Sequence, residues 1–134
     1  MRLVFVDSFF LLALLNERDA THAGALSWNA SYSGNFLTTA WILVELGDGL
    51  SASRQRHLFP PFCRRFRADP KVEVVGWNED LFDQGLALYE ARPDKNWSLT
   101  DCLSFVVMQQ AGISEALTAD HHFEQAGFHA VFRQ

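Results

Sequence analysis

Apolar residues in this chain come in short, undiluted runs set off by polar punctuation. Leu3-Val4-Phe5-Val6 is continuous, the pattern of a strand covered on both faces rather than one alternating between core and water. Asp7-Ser8 interrupts it, and Phe9 to Leu15 continues as an apolar helix. Asn16-Glu17-Arg18-Asp19 breaks the pattern. Asp19 then caps a second helix from Ala20 to about Tyr32, with His22, Leu26 and Ala30 on one face, and Ser33-Gly34 stops it. Asn35 to Thr38 reads as a short strand. Thr39 caps a helix to about Ala52 in which Trp41, Ile42, Leu46 and Leu50 supply the apolar surface.

From Ser53 to Asp69 the pattern is helical, but Pro60-Pro61 cannot donate to a helix ladder, which predicts two pieces with the second starting near Pro61. Lys71 to Val75 is a third strand closed by Gly76. Asn78 caps a helix to Ala91, with Leu81, Phe82, Gly85, Leu88 and Tyr89 at core spacing, and Arg92 to Asn96 is a polar loop. Trp97 to Asp101 leads into a helix to Ala111 that places Cys102, Phe105, Val106 and Gln109 on successive turns, ended by Gly112. Ala116 to Ala119 is a fourth strand. Asp120, a short helix from His121 to Ala126, Gly127 and a last strand from Phe128 to Phe132 complete the chain. Strands alternating with helices predict a three-layer α/β/α sandwich around a mainly parallel sheet, and 134 residues suffice for one domain spanning 1–134.

Composition narrows the class. Hydrophobic residues make up 49%, yet no run approaches the ~18 apolar residues of a membrane span. The N-terminus lacks a basic-then-apolar signal, so a cytoplasmic protein with no membrane partner is expected. Cys63 and Cys102 form no CxxC, which argues against a disulfide framework or zinc knuckle. The net charge is −5, but six of the eleven Lys and Arg lie between Arg54 and Lys71 (Arg54, Arg56, Arg64, Arg65, Arg67, Lys71). That stripe is either a solvated helix face or a phosphate-contacting surface.

Four carboxylates stand where helix and strand design alone would not put them. Asp7 closes the first strand, at the carboxyl edge of the sheet where open α/β folds bind ligands. Glu45 sits inside Trp41-Ile42-Leu43-Val44-Glu45-Leu46, apolar nearly all round. Asp101 is in the first turn of a mostly apolar helix, and Asp120 ends the fourth strand. Three of them have a plainer explanation: Asp7 or Ser8 as a helix cap, Ser98-x-x-Asp101 as a capping box, Asp120 as a cap. Glu45 is hardest to dismiss, because a buried unpaired Glu is strongly destabilising. If the first and fourth strands are parallel neighbours, Asp7 and Asp120 share one edge, and the helices can bring Glu45 and Asp101 to the same place. Carboxylates so gathered repel unless a cation is present, and hard oxygen ligands suit magnesium or manganese. Such an ion supports phosphodiester hydrolysis, and Ser8, Ser98 and Thr118 are placed to orient the acids. His121 and His122, being adjacent, point in different directions and carry less weight.

Taken in order, Phe5-Val6-Asp7-Ser8, Thr39 to Glu45-Leu46, Ser98-Leu99-Thr100-Asp101-Cys102 and Leu117-Thr118-Ala119-Asp120-His121-His122-Phe123 resemble the PIN-domain proteins, in particular the small VapC-like ribonucleases. The resemblance spans nearly the whole chain. It implies acids around Mg2+ or Mn2+ at Asp7, Glu45, Asp101 and Asp120, with Ser8 and Thr118 at the accompanying hydroxyl positions and Ser98 at a third. It further implies RNA as substrate, a small antitoxin as partner and a homodimer. Phe9 departs from the small polar residue common after the Asp-Ser pair, which narrows the pocket without removing a ligand.

The expected function is therefore a metal-dependent endoribonuclease, the toxin of a toxin–antitoxin pair, with the Arg54–Lys71 stripe seating the RNA backbone. The rival from another class is a PIN-fold module that binds RNA or protein without cutting. A haloacid-dehalogenase-type phosphatase wants a second Asp two residues after the first, where this chain has Phe9.

Overall fold

The apolar run Leu3–Val6 forms the central strand, β1, of a five-stranded sheet completed by β2 (Asn35–Thr39), β3 (Val72–Val75), β4 (Glu115–Leu117) and β5 (His129–Ala130). The computed structural model describes residues 2–52 and 54–133. The strand order is β3-β2-β1-β4-β5, and every neighbouring pair is parallel. Among the described residues seven α-helices connect the strands: α1 (Ser8–Leu15), α2 (His22–Ser31), α3 (Ala40–Leu50), α4 (Phe59–Ala68), α5 (Glu79–Ala91), α6 (Leu99–Ala111) and α7 (His121–Gln125).

The unbroken hydrophobicity of β1 has a direct cause. Successive side chains on a strand point to opposite faces, and here both faces are covered. Val4 and Val6 pack with Phe10, Leu11, Ala25, Leu43 and Leu46 from α1–α3, and the aromatic residues of α4 extend that layer. Phe5 packs on the other side with Leu81 of α5, Leu103, Phe105 and Met108 of α6, and Phe123 of α7, with Ile42 of α3 reaching in.

The order of winding matters most for function. From β1 the chain moves outward through β2 to β3 with α1–α4 on one face. It then returns across the sheet through α5 and α6 to β4, on the far side of β1, and continues outward to β5. The direction therefore reverses between β1 and β4. Their carboxyl ends, with connections leaving to opposite faces, enclose a crevice of the kind in which open α/β sheets hold ligands.

Several local expectations are corrected by packing. Asp19 Oδ1 accepts from Thr21 N (2.8 Å) in the turn before α2, which begins only at His22. The inward side of α2 carries Ala25 and Trp28, with Trp28 edge-on to Phe10 and stacked on Tyr32; Leu26 and Ala30 face solvent. Pro60 and Pro61 lie in the first turn of α4, where a missing N–H breaks no helical bond, so the discontinuity falls earlier, at a 3-10 turn over Arg56–Leu58. Ser53, the expected start of that segment, lies outside the described residues. On α5 and α6, Tyr89 and Gln109 are exposed, and the close helix contact is made by Gly85, where a Cβ would crowd Leu103 Cγ at 2.8 Å. The strand expected over Phe128–Phe132 shortens to His129–Ala130, although Val131 N and Phe132 N still bond to Ala116 O and Thr118 O. Among the described residues, no helix is long and apolar enough to cross a membrane.

Candidate active site

Asp7 is the N-cap residue of α1 by position, yet its side chain makes no capping bond. It accepts instead a 2.7 Å hydrogen bond from Thr118 Oγ1, at the end of β4. Thr118 is fully buried and Asp7 only 7% exposed, so this bond spans the two strands where the winding reverses. Ser8, the next residue, donates through Oγ to Glu45 Oε1 (2.5 Å). Thr39 caps α3 by accepting from Ile42 N (3.2 Å), which fixes the helix start so that Glu45, a turn and a half further on, comes over the edge of β1. Glu45 is half-buried rather than enclosed.

Asp101 reaches the same edge from α6. The structure closes a full capping box: Asp101 N donates to Ser98 Oγ (3.0 Å), and Ser98 N donates to Asp101 Oδ2 (3.1 Å). The plainer explanation of Ser98 and Asp101 as a cap therefore holds, and it is compatible with a functional one, because the box sets where the carboxylate stands. Asp120 is likewise a cap, accepting from His122 N (2.9 Å), while its own N donates to Thr118 Oγ1 (3.1 Å). The His122 ring closes the circuit: Nδ1 lies 3.2 Å from Asp101 Oδ2 and 3.4 Å from Asp120 Oδ1.

All seven predicted residues, Asp7, Ser8, Glu45, Ser98, Asp101, Thr118 and Asp120, line one cleft of about 550 Å3, together with Phe9, Leu12, Asn96, Ala119 and His122. Phe9 forms part of the wall, as its bulk predicts. Sequence alone gives His122 little weight and places Asn96 only in a polar loop, yet both line the cleft. The signal for His122 was its place two residues after a capping Asp, which brings the ring back toward the acids.

The basic stripe is not part of this cleft. Arg54, Arg56, Arg64, Arg65, Arg67 and Lys71 are all exposed, and none lines it. Arg56 donates to Ser51 O (2.7 Å). Lys71 immediately precedes β3 and so stands at the amino edge of the parallel sheet, opposite the acids. The segment is continuous in sequence, but α4 carries it from one edge of the sheet to the other.

The electrostatics follow from this geometry. Burial pushes the Asp7 carboxyl up to about 7, the charges of Glu45 and Asp101 push the same way, and the Thr118 hydrogen bond opposes them. Asp101 is also raised, chiefly by burial and further by Asp120, with Ser98 N and His122 opposing. Among the described residues, no Lys or Arg lines the cleft. Hard carboxylate oxygens in that number, short of positive charge and held by neutral hydroxyls, are the donor set of a magnesium or manganese site. The residues present fit such an ion.

A pH dependence follows. The Asp7 carboxyl releases its proton near its ordinary value of 3.8 in the unfolded chain and near 7 in the fold, so between those values the folded form binds more protons. Its contribution to stability is intact below about pH 4 and is lost as pH rises through about 7. With EDTA present, the free energy of urea unfolding should fall across that window by on the order of a few kcal/mol. Asp7→Asn should flatten much of the slope, leaving the part due to Asp101, which burial raises in the same direction. Superimposable pH profiles for the two proteins would contradict this.

Comparison with known proteins gives the same picture. The PIN domain family model matches residues 4–129. The 23S rRNA-specific endonuclease VapC20 of Mycobacterium tuberculosis (strain CDC 1551 / Oshkosh) is 31% identical over 126 residues, covering 94% of this chain and 95% of the relative. The crystal structure of M. tuberculosis VapC20, described as a sarcin-ricin loop cleaving toxin, superposes with a TM-score of 0.87 at 29% identity, over 96% of this chain and 98% of that one. VapBC2 from Rickettsia felis, bound to a DNA fragment from its promoter, shares the fold with a TM-score of 0.66 at 12% identity, over 94% of each chain. The chain belongs to the PIN-domain family.

Proposed function

We propose that this protein is a VapC-type endoribonuclease that hydrolyses RNA phosphodiester bonds with the help of Mg2+ or Mn2+, and that it is the toxin of a toxin–antitoxin pair acting in the cytoplasm. The observation that carries this reading is the convergence of Asp7, Glu45, Asp101 and Asp120 on one cleft that, among the described residues, holds no Lys or Arg. The similarity to VapC20, whose name specifies 23S rRNA, supports an RNA substrate and makes that RNA the first to test.

In this reading Asp7 and Asp101 hold the ion, Glu45 completes the set, and Asp120 acts mainly through water. A bound divalent ion would supply positive charge for the scissile phosphate and make water more acidic. The protein's own contribution is placement. Thr118 Oγ–H fixes one Asp7 oxygen and leaves the other for the ion. Ser8 does the same for Glu45. The capping box and His122 hold Asp101 from two sides. The exposed Arg54–Lys71 stripe, away from the cleft, is suited to contacting the backbone of a large RNA beyond the cleavage point. A small antitoxin and a second copy of this chain complete the reading. Exposed Val44 and Trp77, with Trp77 against Trp41 (5.8 Å) and Phe82 (5.2 Å), give an apolar face suited to the second copy. A monomer in sedimentation equilibrium at micromolar concentration would remove the dimer from the reading and leave the chemistry untouched.

The decisive assay offers 23S rRNA and mixed RNAs to the wild type and to Asp101→Asn, each with Mg2+, Mn2+ or EDTA. Cleavage is expected with either metal, none with EDTA, and a loss of at least about 100-fold in the variant, the scale of removing a charged group that acts in the transition state. Cleavage that survives both EDTA and the substitution would remove the metal mechanism. RNA binding without cleavage would favour a binding module.

A further inference from the structure

The short helix α7 presents a second set of metal-binding atoms. Asp120, His121 and His122 each place one such atom within 4.8 Å of the others. Asp120 Oδ1 is the shared vertex, 3.4 Å from His122 Nδ1 and 3.6 Å from His121 Nδ1. Asp120 and His122 line the acidic cleft, whereas His121 stands outside it, half exposed.

Both the spacing and the chemistry differ from those of the acidic set. A tetrahedral zinc ion with bonds of about 2.0–2.2 Å holds its ligand atoms about 3.3–3.6 Å apart, which brackets the two distances from Asp120. Two imidazole nitrogens and one carboxylate oxygen suit zinc, whereas magnesium takes oxygen ligands and keeps several waters. Asp120 Oδ1 already accepts one hydrogen bond, from His122 N, and a carboxylate oxygen has a second lone pair to give.

We propose that Asp120, His121 and His122 form a zinc site at the rim of the cleft, and that its occupation switches the enzyme off. Three protein ligands leave one position open to water. Zinc on His122 Nδ1 replaces the contact of that nitrogen with Asp101 Oδ2, and zinc on Asp120 withdraws that carboxylate from the cleft. One ion thus disturbs two of the four acids. The switch rests on the ribonuclease reading; the zinc site itself does not.

The test separates the two. Zinc is titrated into the metal-free protein against a chromogenic chelator, with excess Mg2+ and no RNA. Wild type is expected to take up one equivalent tightly. Affinity should fall by at least about tenfold in His121→Ala and in His122→Ala, a conservative figure beside what loss of a supporting group costs a metal site, and should be unchanged in Asp7→Asn. Wild-type affinity in His121→Ala, or loss of binding in Asp7→Asn instead, overturns the site. In the cleavage assay with Mg2+, His121→Ala should match the wild-type rate without zinc and need at least tenfold more zinc for half inhibition. Cleavage unaffected at full zinc occupancy overturns the switch. Zinc binding that depends on His121 while no protein cleaves RNA supports the site and overturns the ribonuclease reading.

Discussion

Asp7 is a carboxylate held out of water at the end of the most deeply buried strand, between the two strands where the sheet reverses its winding. Its 2.7 Å bond from Thr118 is the direct side-chain tie across that crevice. A neutral hydroxyl stabilises the charge only in part, which is why the carboxyl rises to about 7. Fully pairing it with an Arg would remove the penalty, and also the affinity for a cation. The fold keeps a locally unfavourable charge where a ligand can offset it, and the apolar layers on both faces of β1 supply the stability that makes this tolerable.

Around Asp7 each acid has its own neutral support, and those supports come from ordinary local structure. Ser98 and Asp101 form a capping box, Asp120 caps α7, Thr39 caps α3 a turn and a half before Glu45, and Ser8 opens α1. A helix cap is fixed to within tenths of an ångström by its backbone bonds, and these caps aim carboxylates at one volume. Capping and ligand binding are therefore not competing explanations: the first gives the position that the second requires. His122 joins the Asp101 and Asp120 ends of the array, so any ion that claims its ring nitrogen also changes what those two acids can do.

Much of this could be read from the residues alone. The continuous run Leu3–Val6 reads as a strand covered on both faces, and an acid directly after such a strand lies at the carboxyl edge. Glu45 stood out because its neighbours are apolar on every side of the helix. What escaped depended on packing between distant segments. Adjacent histidines look divergent in sequence, and only the tight first turn of α7 folds both rings toward Asp120. The stripe from Arg54 to Lys71 looks like one surface in sequence, but a ten-residue helix divides it between opposite edges of the sheet. The buried side of α2 is decided by Trp28 stacking on Tyr32 and against Phe10, a preference that helical periodicity does not reveal.

The central claim is that four acids drawn from separate parts of the chain form one cation-binding cup. Anomalous diffraction from crystals grown with Mn2+ tests it directly. The account predicts a manganese peak in the cleft, in contact with both Asp7 and Asp101, which disappears in crystals of Asp7→Asn. A well-ordered cleft empty at saturating Mn2+, with peaks only at other surface carboxylates, would contradict it.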